Sequence, residues 1–394
     1  MIDPRLPKQP ERPFSEAGDE GGRLVSLDII RGGALLGVLV ANLQSFTYPG
    51  VYLLPLGFSP HSAFDRGTEG LIRIFVEGSF YPLFAALFGL GFTLHAQRLG
   101  FAGAQFRRRL LFLLGLGVLH AVLVWEGDIL VSYALLGFML IPLRHKPARA
   151  LLFTVCACFI YSLIVFYAAF DSGETPQDYL ELVTTTYSQG SYLEATQLRL
   201  IGLSAVLVEA LVYFPHILAC FLLGLLIGRR GATRILSDGL LLRRTFALSL
   251  GVGLPITTAH GAAMLTQPAI PAWLAALDTT LGSAALGFAY AAALLLLLRR
   301  PTWRQRLEPL SFVGRTSLSN YLFQSLVFTS LYYGYGGGLY ARVPLSVSVS
   351  LALAFYVLQV FASRWWLSQY AQGPAEALWR RLTYKTPVLS PEPR

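Results

Sequence analysis

Charge is what this 394-residue sequence has least of: Asp, Glu, Lys and Arg make up 13% of it, where an ordinary soluble domain carries about a quarter. That scarcity argues against a soluble fold. Cysteine is nearly as sparse, and three residues, Cys156, Cys158 and Cys220, cannot form a disulfide scaffold. The 37 glycines follow no three-residue period, which removes collagen, and a 54% apolar content is too high for a disordered chain. A phosphate loop, a dinucleotide fingerprint, HExxH and GxSxG are all missing, so the common soluble-enzyme motifs give no help. Internal repeats are missing too, which disfavours transporter folds built on internal symmetry.

What is present is apolar length. Mean hydropathy is +0.55, and ten apolar runs bounded by charge fall near 25–47, 71–97, 109–126, 128–144, 149–170, 199–228, 244–266, 273–298, 316–337 and 345–368. A span needs about 20 apolar residues, so these runs predict an all-α polytopic membrane protein of about ten helices.

The net charge of +9 raises the question of nucleic acid, but its distribution follows a bilayer instead. Alternate connections hold Arg98 with Arg107 to Arg109, then Arg144, Lys146 and Arg149, then Arg229 to Arg244, then Arg299 to Arg306. The others carry only Arg66, Arg73, Arg199 and Arg342. Lys and Arg in short loops mark the cytoplasmic side. Both termini are therefore expected inside, with the lipid bilayer as partner and no nucleic acid. The Pro-rich segment 1–23 lacks an apolar core and reads as a cytoplasmic tail. One transmembrane domain, 24–385, follows, and 386–394 is a second tail. The acidic, Tyr-rich connection 171–198 reads as a solvated surface loop, with covering an outer cavity as its alternative. YYGYGGG at 332–338 reads as an interfacial aromatic belt.

Ionisable groups inside a membrane are costly unless paired or wet, so they are functional candidates by default. Asp28 and Arg31, three apart on the first run, share a helix face. Glu77 lies in the second run, His120 in the third, Glu126 and Asp128 at the next turn. His216, His260 and Asp278 follow, and for both of these histidines an interhelical hydrogen bond is the expected role. LHAVLVWEGDIL is the most informative segment, because the turn at Gly127 can fold two carboxylates back toward His120, a base with an orienting acid. In GRTSLSNYLFQSL, Asn320 and Gln324 share a polar face with Thr316, while Arg315 stands at the cytoplasmic mouth. His61 and His95 are too isolated for a metal site, and no metal is expected.

Five blocks, SLDIIRGGALLGVLVANLQSF, EGSFYPLFAALFGLGF, LHAVLVWEGDILVSYALLGF, GRTSLSNYLFQSL and QGPAEALWRRLTY, closely resemble the YeiB-like bacterial membrane proteins of the domain of unknown function 418, whose C-terminal part corresponds to about 229–385. These are grouped with transmembrane acyltransferases, including heparan-α-glucosaminide N-acetyltransferase and the acyltransferase-3 proteins. LDIIRG followed by Asn42 looks like the LDxxRG start of those enzymes. Acyltransferase-3 proteins carry a catalytic His at the position matching Asn42. The heparan-type enzymes carry Asn and take their His from the following segment, where this chain offers only His61. The YeiB-like proteins do not generally have a His there, which makes His120 the better candidate.

The resemblance implies acyl transfer from cytoplasmic acyl-CoA, with acetyl-CoA as the expected donor, to an unidentified acceptor at or beyond the outer face. His120 would be the base or acyl carrier, oriented by Asp128 or Glu126. Arg31, Asp28 and Arg315 would form the donor site. Asn42, Asn320 or Gln324 would donate to the thioester oxygen, and Glu77 and His61 belong with the substrate cavity. A secondary transporter or permease for a small solute is the alternative, and homodimerisation is left open.

Overall fold

The computed structural model describes residues 24–48, 62–99, 103–171, 177–203, 206–266 and 270–383, and among these every regular element is helical. The chain begins with α1 (Val25–Thr47), α2 (Ala63–Phe75), α3 (Phe80–Leu99), α4 (Gly103–Leu123) and α5 (Leu130–Leu143). Next come α6 (Ala148–Asp171), α7 (Gln177–Gln189), α8 (Tyr192–Leu203), α9 (Val206–Arg229), α10 (Ala232–Ser237) and α11 (Gly239–Thr266). A π-turn (Asp278–Gly282) separates α12 (Ala272–Leu277) from α13 (Ser283–Leu298). Pro301 and Pro309 start the short α14 (Pro301–Leu307) and α15 (Pro309–Arg315), a position where the missing N–H costs nothing. The chain closes with α16 (Ser317–Tyr332), α17 (Leu345–Gln369) and α18 (Pro374–Thr383).

Each of the ten apolar runs is helical over most of its described residues. Among the described residues seven stretches are long and apolar enough to cross a membrane: Val25–Thr47, Ala63–Gln97, Ala148–Asp171, Ala210–Arg229, Gly239–Thr266, Ala272–Leu298 and Leu345–Gln369. The other three runs are α4, with Arg107 to Arg109 near its start, and the short α5 and α16, of 14 and 16 residues. At 1.5 Å per residue the last two reach about 21 to 24 Å, less than a hydrocarbon core of about 30 Å. The wall of the bundle is apolar, with Phe153, Leu248 and Phe361 at 76%, 70% and 63% exposure on α6, α11 and α17. Such a surface suits lipid.

Glycines set the helix spacing where backbones meet. A side chain at Gly314 would collide with the Asp28 carbonyl, and one at Gly32 with the Leu310 carbonyl, so α15 lies directly on α1. Gly89 and Gly224 bring α3 and α9 together in the same way. The arginine-rich connections lie side by side at one end: Arg229 donates to the Lys146 carbonyl and Arg299 to the Ser237 carbonyl, each at 2.7 Å.

Three expectations change. The second run is broken, because Val76 and Glu77 both bond to the Ile72 carbonyl and Gly78 takes φ 72°, so α2 and α3 are separate helices. Segment 171–198 is no plain loop: α7 and α8 fold back and bury Tyr187, Ala195 and Leu198. The YYGYGGG stretch is no interfacial belt either. Tyr332, Tyr333 and Tyr340 are at most 1% exposed. The Gly334 N–H donates to the Tyr187 carbonyl at 2.7 Å, so the glycines permit a tight turn under α7.

Candidate functional site

A cavity of about 610 Å³ opens among α1, α3, α4, α5, α16 and α18. Its charged layer comes from helix ends. Arg31 donates to Asp28 at 3.1 Å, and Arg109 donates to His95 Nδ1 at 3.0 Å and stacks 4.4 Å over the Trp379 ring. Arg315 joins them because the glycine contacts hold the end of α15 against Asp28. α18 closes this layer: Trp379 Nε1 donates to the Arg109 carbonyl at 3.1 Å, and Glu376 accepts from the Leu318 and Ser319 N–H groups at 2.8 and 3.2 Å. One and two turns along α1 from Arg31 the lining becomes Leu35 and Val38, with Phe84, Phe88 and Leu113 opposite. Tyr133 and Tyr321 are its polar members there.

Tyr321 leads to the histidine. His120 Nδ1 donates to Asp128 Oδ2 at 2.7 Å, and the Tyr321 hydroxyl lies 3.5 Å from the same oxygen. Asp128 Oδ1 accepts from the Leu130 and Val131 N–H groups at 2.7 and 3.0 Å, which pins it at the start of α5. An ionised carboxylate only accepts, so Nδ1 carries the proton, and in the neutral imidazole Nε2 then keeps its lone pair. Nε2 is buried and has no partner. His120 is 4% exposed and does not line the cavity; Tyr321 is the residue between them, its ring 5.3 Å from the imidazole. From Arg109 to His120 along α4 is about 16 Å at 1.5 Å per residue.

Over the dyad sits a cap made by α7 and α8 and the turn after α16. Arg199, 2% exposed, donates to the Leu123 carbonyl at 3.2 Å and to the Tyr335 hydroxyl at 3.2 Å, with Glu126 3.9 Å from its Nε. Tyr192 donates to the same Leu123 carbonyl at 2.7 Å. Tyr187 stacks on Tyr333 at 4.3 Å, and burial together with the Glu126 carboxylate pushes its phenol far above the usual range. Together these contacts hold the end of α4, and hence the His120 turn, in place.

The remaining sequence candidates lie elsewhere. Asn42 accepts from the Tyr81 hydroxyl, and the Tyr133 hydroxyl donates to the Tyr81 carbonyl at 3.1 Å. Asn320 donates to Ser363 at 2.9 Å and Gln324 to Gln359 at 2.8 Å, both bonds reaching α17. Glu77 pairs with Arg73 at 3.2 Å. None of these four lines the cavity. His61 lies outside the described residues. His216 bonds to the Thr280 carbonyl at 3.1 Å and His260 to Asp278 at 2.7 Å. Among the described residues no group of three or more His, Cys, Asp or Glu could hold a metal ion. Tyr321, Trp379 and Arg199 were missed in the sequence, since a tyrosine or tryptophan in an apolar run looks like packing and a lone arginine like a loop end.

Fold and composition define a polytopic, all-helical membrane protein. Residues 227–386 match the family "Protein of unknown function (DUF418)". The chain is 31% identical to "Uncharacterized protein YxaH" of Bacillus subtilis, covering 92% of this chain and 94% of that one. It is 30% identical to an "Uncharacterized 39.9 kDa protein in amylase 3'region" of Bacillus acidopullulyticus (93% and 96%) and 28% identical to "Uncharacterized protein YeiB" of Escherichia coli (92% and 97%). No solved structure matches. The chain belongs to the YeiB-like DUF418 family.

Proposed function

We propose that the protein is a transmembrane acyltransferase that takes an acyl group from cytoplasmic acyl-CoA and passes it to an acceptor at or beyond the outer face. One observation carries this reading: a single cavity joins an arginine layer to Tyr321, whose hydroxyl meets the Asp128 that orients His120. The orientation assumed is the one the positive-inside rule gives, with both termini in the cytoplasm of a bacterial cell.

Arg31, Arg109 and Arg315 would receive the phosphates, for which guanidinium groups offer bidentate donors. The rise of about 16 Å along α4 from Arg109 to His120 is close to the reach of a pantetheine arm. Behind Tyr321, His120 Nε2 would remove the proton from the acceptor hydroxyl or amine once the cap admits it. The acceptor atom then bonds to the acyl carbon, the carbon–sulfur bond breaks, and the thiolate leaves with the proton from the imidazolium. Asp128 stabilises that imidazolium. Asn42, Asn320 and Gln324, expected to donate to the thioester oxygen, do not line the cavity, whereas Tyr321 does, and its hydroxyl is the better placed donor. Because His120 lies under the α7–α8 cap, an outer acceptor reaches it only when that cap opens.

The secondary-transporter reading draws on the His260–Asp278 pair, which sits in a helix break rather than at the cavity. Calorimetry with CoA on purified protein separates the two. Arg31→Ala should weaken CoA binding by about tenfold or more, the worth of a charged hydrogen bond, while the exposed Arg342→Ala leaves it unchanged. Equal affinity in both variants removes the donor site. Absence of CoA binding with stoichiometric solute uptake in proteoliposomes replaces the acyltransferase by a transporter.

A further inference from the structure

The last helix, α18, turns one face to the cavity and the other to the outside of the bundle. Glu376 accepts from two N–H groups in the first turn of α16, those of Leu318 and Ser319, at 2.8 and 3.2 Å. Trp379, one turn on, donates to the Arg109 carbonyl near the start of α4 at 3.1 Å. A helix that meets the starts of two others within one turn lies across their ends. Thr383, 1% exposed, continues the same buried face.

The opposite face is apolar and, among the described residues, uncovered. Leu378 and Leu382, four apart and so on one stripe, are 49% and 61% exposed. Pro374 begins the stripe, Arg381 borders it and Arg380 lies further round; all three are exposed. Glu376, the one acidic side chain of α18, is spent on α16, so the free charge of the helix is positive. The helix dipole favours arginines in a last turn whatever lies outside it. It does not account for two leucines held open beside them.

Depth is set by the preceding element. α17 ends in Trp365, Trp366 and Tyr370, of which Trp365 and Tyr370 are exposed, and such residues gather where hydrocarbon gives way to headgroups. The turn that follows is short and held: Trp366 stacks on Tyr370 at 4.4 Å, and its Nε1 donates to the Gln372 carbonyl at 2.8 Å. α18 therefore starts at the depth of the interface. A helix there with leucines on one side and arginines along its edge lies in the interface plane. Arg107, two residues from the Arg109 that Trp379 holds, and Arg364, beside Trp365, are exposed as well and add to the positive charge of this end.

We propose that α18 is a membrane-surface helix whose partner is the headgroup layer of anionic phospholipid, with Leu378 and Leu382 entering the acyl boundary and Arg380 and Arg381 meeting the phosphates. Guanidinium groups offer paired donors to phosphate, and a zwitterionic headgroup has no net charge to hold them. Trp379 and Glu376 line the cavity from the other side of the same helix, so the lipid that seats α18 also keeps that wall in place. Lipid binding of this kind is independent of what the cavity holds.

Amide exchange of the purified full-length protein measures how firmly α18 is seated, in nanodiscs of phosphatidylcholine alone and of phosphatidylcholine mixed with phosphatidylglycerol. Each arginine at an anionic surface contributes about fivefold to binding, so phosphatidylglycerol should raise protection across α18 by roughly tenfold to thirtyfold, and high salt should reverse the gain. Arg380→Gln combined with Arg381→Gln should remove it, whereas Arg342→Gln, an exposed residue beside the opposite end of α17, should not. Leu382→Gln should lower protection in both bilayers. Equal protection of α18 in the two bilayers, read on the native protein alone, overturns the proposal. So does a gain that survives the loss of both arginines, or one shared equally by α11 and α17. Protection that salt lowers but lipid charge leaves unchanged would give the face to an acidic segment of the chain instead, and protection that appears only with two copies in one disc would give it to a second molecule.

Discussion

His120 has the tautomer a general base requires, because Asp128 fixes its Nδ1 proton and leaves Nε2 bare inside the protein. Proton transfer of this kind contributes about 10² to 10⁴-fold to a rate, so His120→Ala should lower acyl-CoA-dependent turnover by at least about a hundredfold. CoA binding should survive, since His120 does not line the cavity. Asp128→Asn should cost less. Thiol release from acyl-CoA in proteoliposomes measures both, and a loss under tenfold would return His120 to a structural role. This pair was legible in LHAVLVWEGD, because a histidine and a carboxylate eight residues apart across a glycine turn have few other ways to meet. Tyr321 was not. Its hydroxyl matters only because α16 faces the α4–α5 turn, a long-range relation that no local spacing encodes.

At the scale of elements, α7 and α8 depart most from what the sequence announces. Their polar composition suggested solvent, yet a few aromatic residues and Arg199 suffice to dock them on the α4–α5 turn. Local signals for α8 are nevertheless present: the Ser191 N–H and hydroxyl both donate to Glu194, at 2.7 and 2.8 Å, and the Ser191 hydroxyl accepts from the Glu194 N–H. These bonds, the backbone one first, hold the Glu194 carboxyl below the ordinary glutamate value. A lowered native pKa gives stabilisation that is present above the unfolded value and is lost as the pH falls through the native one. Protection factors in the first turn of α8 should therefore fall in acid, and Glu194→Gln should flatten that dependence. Amide exchange across an acid series checks it; pH-independent protection in the native protein would show that docking alone holds the helix. The α2–α3 break was hidden for the opposite reason. EGSF sits inside a long apolar run, and only the close approach to Ser283 shows why Gly78 must leave the helix.

For the whole molecule, arginine distribution and apolar length gave the membrane class and all ten runs, since both follow from the cost of charge in hydrocarbon. The cavity was visible only in part. Arg31 stood out as an intramembrane charge and Arg315 as one at the cytoplasmic mouth, whereas the contribution of α18 depends on Trp379 reaching Arg109 from the far end of the chain. If the arginine-rich end is cytoplasmic, Ser188 on α7 lies outside. With Cys156, Cys158 and Cys220 replaced, Ser188→Cys should react with an impermeant maleimide from the outer face, and reaction from the cytoplasmic side alone would invert the molecule. The acyl-CoA site itself is tested most directly by electron cryo-microscopy of the protein in nanodiscs with saturating CoA. The account predicts phosphate density against Arg31, Arg109 and Arg315, with the thiol end beside Tyr321. A cavity without ligand density at saturation, or CoA held anywhere else, would contradict it.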